Sequence, residues 1–121
     1  MIRELFAVGL GGAAGSIVRY MLSVWLLGGH TLLGFPAGTF TVNAAGSLLI
    51  GILLETTNSA AAGWLLIAGF CGGFTTFSTF MNENFLLIKD DNFFYLSLYV
   101  GLSLFVGFIM LYLGHSLIKL F

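Results

Sequence analysis

The stretch from Gly69 to Phe80 (GFCGGFTTFSTF) holds the residue types most able to do chemistry. Its paired glycines, Gly72 and Gly73, favour a departure from helical backbone, because glycine loses the most freedom on ordering. Within a membrane such a departure is tolerated only where protein buries it or it borders water. Freed carbonyls there can hold a cation, and the hydroxyls that follow can hydrate an anion. The alternative is an ordinary glycine/threonine helix-packing seam.

The composition identifies an integral membrane protein. The chain has 121 residues, of which 59% are hydrophobic and 7% charged, and its mean hydropathy is +1.05. Soluble domains carry roughly 25% charged residues. A net charge of −1 excludes the strongly basic surface that nucleic-acid-binding proteins carry. The one cysteine, Cys71, excludes an intrachain disulfide and suits a small core residue.

The apolar segments predict an all-α protein with a single domain over residues 1–121. Four transmembrane helices are expected at about 4–27, 36–54, 64–89 and 93–118, with the third broken near 72–76. Four crossings place both termini on the same side of the membrane. The Lys and Arg residues are then divided almost equally between the two sides, so the positive-inside rule favours neither orientation. We therefore expect insertion in both orientations and an antiparallel homodimer. At its twofold axis, two copies of the break could enclose one monovalent cation.

Two polar side chains inside apolar segments are candidate functional residues. Arg19 lies in the first segment, where an intramembrane charge suggests a vestibule that attracts anions. The alternative is a side chain that snorkels to the nearby interface. Asn43 lies in the second segment and shares a helical face with Thr39, Gly46 and Ser47. Its amide is either a donor that lines a pore or an interhelical hydrogen bond.

Aromatic and hydroxyl residues mark two further helical faces. Phe77 and Phe80 are three residues apart, and the positive edges of their rings suit an anion, but their spacing alone favours ordinary core packing. Glu83 continues that face at the mouth of a pathway or at the membrane interface. In the fourth segment Tyr99 and Ser103 either extend a hydroxyl track or join helices.

No catalytic arrangement is found, and an enzyme is not expected. His30 and His115 lack ligand partners at metal spacing, and Glu55 and Glu83 stand alone near segment ends. One alternative is a proton-coupled small multidrug exporter, which needs a carboxylate in the first helix, yet residues 12–16 read GAAGS. Another is an assembly subunit that transports nothing by itself.

Three stretches resemble the Fluc/CrcB family of fluoride channels, and the resemblance covers essentially the whole chain. They are residues 11–20 (GGAAGSIVRY), 38–47 (GTFTVNAAGS) and 72–80 (GGFTTFSTF). The resemblance implies a dual-topology dimer with two antiparallel fluoride pores in a bacterial or archaeal plasma membrane. It also implies a structural sodium ion that is not transported.

The same resemblance implies roles for particular residues. The backbone carbonyls of Gly72 and Thr75 from both subunits would ligate the sodium ion. Phe77 and Phe80 would line the pores, and Asn43 would donate hydrogen bonds. A polar track would consist of Ser78, Thr79, Tyr99 and Ser103. Arg19 would lie in a vestibule, and Glu83 would lie near one end of a pore.

Overall fold

The computed structural model describes residues 1–26 and 35–120, and it is all-helical there. Helix α1 (Ile2–Tyr20) continues as a π-helical turn (Met21–Leu26), and α2 spans Ala37–Thr56. Helix α3 (60–74) is π-helical over Gly63–Cys71, and α4 spans Phe77–Lys89. The last helix, α5, spans Phe93–Leu120. Four helical segments are long and apolar enough to cross a membrane, with α3 and α4 forming one of them.

The helix boundaries differ from the predicted ones where capping intervenes. The third segment begins at Ala60, before the predicted residue 64, because the Ser59 side chain accepts a hydrogen bond from the Ala62 N–H at 3.2 Å. That bond satisfies one of the free donors at a helix start. The predicted end of the first helix at residue 27 and the exposed His30 lie outside the described residues.

Helices α1 and α3 pack backbone to backbone through glycine. A Cβ at Gly15 would overlap the Phe70 carbonyl oxygen, and one at Gly73 would overlap that of Gly12. Residue numbers rise together along this contact, from Gly11 beside Gly69 to Gly15 beside Phe70 and Phe74, so the two helices run parallel. Close approach through small residues is how membrane helices associate without a hydrophobic driving force.

Helices α2 and α5 also run parallel, in one constant register. Glycines allow this contact as well, because a Cβ at Gly51 would overlap the Leu111 oxygen and one at Gly114 the Leu48 oxygen. Facing residues differ by 60 in number and recur every four residues, as expected along one ridge of each helix. The facing pairs are 39 with 99, 43 with 103, 47 with 107, 51 with 111 and 55 with 115.

A contact between a histidine and a glutamate side chain closes one end of the α2–α5 contact. His115 Nδ1 lies 2.7 Å from Glu55 Oε1, and the two side chains are 32% and 29% exposed. The expectation that Glu55 stands alone is therefore wrong. Residues 60 positions apart give no local signal of pairing, so only the packing of the two helices brings these side chains together.

We expect Glu55→Gln to cost no more than about 1 kcal/mol of unfolding free energy, because polar contacts between partly exposed side chains contribute little. Denaturant unfolding of the purified protein in detergent measures the change. Glu4→Gln is the matched control, since Glu4 pairs only with the terminal amino group at 3.8 Å. A loss of several kcal/mol in Glu55→Gln alone would show that this pair carries more of the α2–α5 contact than its exposure indicates.

Between α3 and α4 the backbone leaves the helical region at two residues. Thr75 has φ −88° and ψ 157°, and Thr76 has φ −148° and ψ 122°. Gly72 and Gly73, which were expected to favour the departure, remain helical, and the extended residues are the two threonines after Phe74. Thr75 closes α3, since its N–H and its hydroxyl both donate to the Cys71 carbonyl, at 3.0 and 2.8 Å. Thr76 opens α4 by accepting the Thr79 N–H at 3.2 Å.

Candidate functional site

A cavity of about 280 Å³ lies beside the two extended threonines. Helices α2, α4 and α5 all contribute to its wall, and Phe77 at its edge is 72% exposed. The lining mixes amide, hydroxyl and aromatic groups with aliphatic side chains. It consists of Asn43, Ser47, Ile50, Thr75, Thr76, Phe77, Phe80, Ser103 and Leu104. Such a lining offers hydrogen-bond donors and ring edges but no charged group.

The side chain of Asn43 holds the extended backbone at Thr76. Its Nδ2 donates to the Thr76 carbonyl at 3.1 Å, and its Oδ1 accepts the Thr76 N–H at 2.8 Å. The alternative of an interhelical hydrogen bond is therefore present in the structure. Asn43 also lines the cavity, so bonding between helices and lining a pathway do not exclude each other.

Polar side chains from α1 reach the carboxyl end of α3. Arg19 Nε donates to the Gly73 carbonyl at 3.1 Å, and Ser16 Oγ lies 3.4 Å from the same oxygen. A cation at this position offsets the negative end of the helix dipole. Among the described residues, no side chain or loop backbone donates to the carbonyls of Gly72 or Thr75. Those two oxygens remain available to a ligand.

Glu83 joins three helices. Its Oε2 accepts the Thr39 hydroxyl at 3.1 Å and its Oε1 accepts the Tyr99 hydroxyl at 2.8 Å. Tyr99 is completely buried, and its ring lies 4.9 Å from that of Phe80. The expectation that Glu83 stands alone is therefore wrong. Through Tyr99 and Phe80 this carboxylate is connected to the wall of the cavity.

The hydroxyls of the first turn of α4 form a small cluster of their own. Thr76 Oγ1 lies 3.2 Å from Thr79 Oγ1 and 3.3 Å from Ser78 Oγ. Neither Ser78 nor Thr79 lines the cavity. In the part of the chain that the structure describes, their side-chain hydrogen bonds reach the cavity wall through Thr76.

Side-chain ligation of a metal has no support in the part of the chain that the structure describes. No three His, Cys, Asp or Glu side chains lie close enough there to hold an ion. Any cation at this site would have to rely on backbone carbonyls or hydroxyls.

Comparisons with known proteins identify the family. The profile described as "CrcB-like protein, Camphor Resistance (CrcB)" matches residues 6–115. This chain belongs to the CrcB family. Family membership confirms that it is a multi-pass membrane protein and not an enzyme.

Curated members of the CrcB family align over nearly the whole chain, and those compared are all named "Fluoride-specific ion channel FluC". The relative from Chlorobium luteolum is 46% identical over 116 residues, covering 92% of this chain and 88% of its own. That from Chlorobaculum tepidum is 45% identical, covering 99% and 98%. A more distant one, from Elusimicrobium minutum, is 38% identical, covering 99% and 97%.

Of the anion-pathway residues that the CrcB resemblance singles out, the structure brings four together in the cavity wall: Asn43, Phe77, Phe80 and Ser103. Thr75 joins them there, whereas Tyr99 and Glu83 lie behind Phe80 and Arg19 lies at the end of α3. Sequence reasoning gave no role to the Thr76 peptide or to the Gly73 carbonyl. A backbone group has no sequence signature, so only the fold reveals what it bonds.

Proposed function

We propose that this chain is a fluoride-selective channel that lets fluoride leave the cell passively and so relieves fluoride toxicity. It would act in the bacterial or archaeal plasma membrane. The observation that carries the proposal is the cavity, in which Asn43, Phe77, Phe80 and Ser103 meet. The FluC names of close relatives support fluoride as the ion.

The cavity wall suits the chemistry of fluoride. This ion is small and holds water tightly, so a pore must replace the lost water with other donors. An amide N–H and a hydroxyl supply hydrogen bonds, and the edges of aromatic rings carry partial positive charge. The rings of Phe77 and Phe80 lie 5.9 Å apart and are tilted by 39°, which leaves room for contact at their edges.

A sodium ion at the break would complete the site. Among the described residues, no side chain or loop backbone donates to the Gly72 and Thr75 carbonyls, and carbonyl oxygens are the ligands that channel proteins use for monovalent cations. Two carbonyls do not close a coordination shell, so a second copy across a twofold axis would complete it. The fixed positive charge would offset part of the cost of bringing an anion into a medium of low dielectric.

An antiparallel dual-topology homodimer is the proposed assembly. Large aromatic side chains remain exposed on one chain, among them Phe77, Phe105 and Phe108. Lipid or a second copy must cover them, and Phe77 lines the open cavity. The near tie in positive charge between the two sides allows a partner of opposite orientation.

The direct test uses purified protein in liposomes loaded with fluoride or with chloride. When a potential is applied, we expect fluoride release that a fluoride electrode detects, with no matching chloride release. Equal leakage of chloride would count against a selective channel. If neither fluoride nor chloride is released and the protein co-purifies with a larger partner, the assembly subunit is favoured. The multidrug exporter has no support, because the first helix carries no acid at 12–16.

Phe80→Ile is expected to lower fluoride flux by about tenfold or more, because it removes a ring edge that the pathway uses. Phe94→Ile is the matched control, since Phe94 is 73% exposed near the start of α5 and outside the cavity wall. Fluoride efflux from liposomes measures both, and crosslinking shows whether the dimer persists. Wild-type flux in Phe80→Ile would remove this ring from the pathway.

A further inference from the structure

The methyl group of Thr75 occupies a notch that Gly46 leaves in the surface of α2. A Cβ at Gly46 would overlap Thr75 Cγ2, and it would lie only 3.2 Å from Cδ2 of the Phe74 ring. Phe74 is 5% exposed, and its ring stacks on that of Phe70 with centroids 5.7 Å apart. The Thr75 methyl group therefore fills the space of the missing side chain, and a pair of stacked rings closes the notch beside it.

The hydroxyl group of the same threonine is held in a second direction. Thr75 Oγ1 donates to the Cys71 carbonyl at 2.8 Å, and the Thr75 N–H donates to the same oxygen at 3.0 Å. A threonine side chain has three staggered rotamers, and its chirality fixes the order of hydroxyl, methyl and hydrogen around Cβ. Only one rotamer directs the methyl to Gly46 and the hydroxyl to Cys71. Each of the other two turns the hydroxyl away from that carbonyl.

Helix α2 is fixed on both sides of the notch, so it has little freedom to move away from Thr75. On one side, Asn43 bonds both the N–H and the carbonyl of Thr76, at 2.8 and 3.1 Å. On the other, α2 is in close backbone contact with α5 at Gly51. A side chain added at Gly46 must therefore displace the Thr75 side chain or break the bonds to Thr76. Both threonines line the cavity, so either change alters its wall.

We propose that Gly46 is a positioning residue of the channel and acts through Thr75. Its missing side chain selects the one threonine rotamer that caps the Cys71 carbonyl, and this cap fixes where α3 ends and the extended backbone begins. Gly46 does not line the cavity, so it shapes the wall without contacting the ion. The inference rests on the proposed fluoride channel and adds to it a residue outside the pathway.

Gly46→Ala is expected to lower the fluoride current about tenfold, the factor by which one hydrogen bond shifts an equilibrium between two conformers. The added methyl group expels that of Thr75, and every rotamer left to the threonine loses the bond to Cys71. Electrical recording from liposomes with equal amounts of folded protein measures the change. Gly107→Ala is the matched control, because a Cβ at Gly107 meets only the Ser47 hydroxyl oxygen, at an ordinary contact distance of 3.7 Å. Its current should stay close to that of the wild type.

Two substitutions of Thr75 test whether the effect depends on its hydroxyl group. Serine has the hydroxyl but no methyl, so Thr75→Ser combined with Gly46→Ala again allows the bond to Cys71. We expect this double variant to carry at least about threefold more current than Gly46→Ala alone. Valine has the shape of threonine but no hydroxyl. Thr75→Val combined with Gly46→Ala can turn both methyl groups away from the notch, yet it should not restore the current.

Denaturant unfolding in detergent gives a readout that does not depend on transport. We expect Gly46→Ala to destabilise the protein less when Thr75→Ser is also present, because the two substitutions act on one contact. Equal destabilisation with and without Thr75→Ser would show that the side chain of Thr75 does not occupy the notch at Gly46.

The outcomes separate this inference from the proposed function. A wild-type protein that carries no fluoride current would overturn the channel and, with it, the role of Gly46. If the wild type conducts fluoride and Gly46→Ala conducts equally well, the channel stands and the positioning role is overturned. The same holds if Thr75→Ser fails to restore the current. Recovery with valine as well as with serine would reduce the role of Gly46 to packing alone.

Discussion

Gly15→Ala is expected to destabilise the protein by about 3 kcal/mol, the upper part of the range for an overpacked core. The added Cβ would overlap the Phe70 carbonyl oxygen and also crowd the Phe74 N–H. Both are backbone groups of α3, which no side-chain rotation can move aside. Helix α1 must then shift away from α3, and the hydrogen bonds of Ser16 and Arg19 to the end of α3 weaken with it.

Thermal or denaturant unfolding in detergent measures this loss. Gly9→Ala is the matched control on the same helix, because a Cβ at Gly9 meets no atom within 4 Å. Its unfolding free energy should change by less than about 1 kcal/mol, the difference in helix propensity between glycine and alanine. Equal stability of the two variants would show that α1 and α3 are not packed through their backbones.

Tyr99→Phe is expected to cost about 2 kcal/mol of unfolding free energy. The substitution removes the hydroxyl that donates to Glu83 Oε1 at 2.8 Å and leaves that oxygen without its donor. The tyrosine is completely buried, so water does not readily replace the lost bond. Tyr112→Phe on the same helix is the control, since Tyr112 is 69% exposed, and its unfolding free energy should hardly change.

A double-mutant cycle assigns the cost to the pair. We expect Tyr99→Phe combined with Glu83→Gln to destabilise by about 1–2 kcal/mol less than the sum of the single variants, because both remove the same hydrogen bond. Strict additivity would mean that the cost of Tyr99→Phe does not come from the bond to Glu83, since phenylalanine keeps the ring that packs against Phe80 and Phe35 at 4.9 and 5.3 Å.

The four spans could be predicted because apolar length and low charge are local properties of a sequence. The glycine pair was a poorer guide to the backbone, because Gly72 and Gly73 are helical and the extended residues are Thr75 and Thr76. The start of the third span was missed, because the capping of Ala62 by Ser59 extends the helix beyond the apolar run.

The pairing of helices was beyond prediction from spacing alone. Thr39, Asn43 and Ser47 were recognised as one face of α2, and Tyr99, Ser103 and Gly107 as one face of α5. Neither pattern indicates that the face of α2 contacts the face of α5 in a constant register. That register depends on close backbone contact at Gly51 and Gly114, a property of two surfaces together.

The sequence by itself determined the class of protein and the number of spans and predicted candidate residues for an anion pathway, since each depends on residue type and local spacing. The tertiary structure alone decided which polar hydrogens remain free. Ser47 and Ser103 are the same residue type and both line the cavity, yet the Ser47 hydroxyl donates to the Asn43 carbonyl, whereas the Ser103 hydroxyl has no partner among the described residues. Hydrogen-bond capacity is fixed by residue type, but its use depends on which neighbours packing supplies.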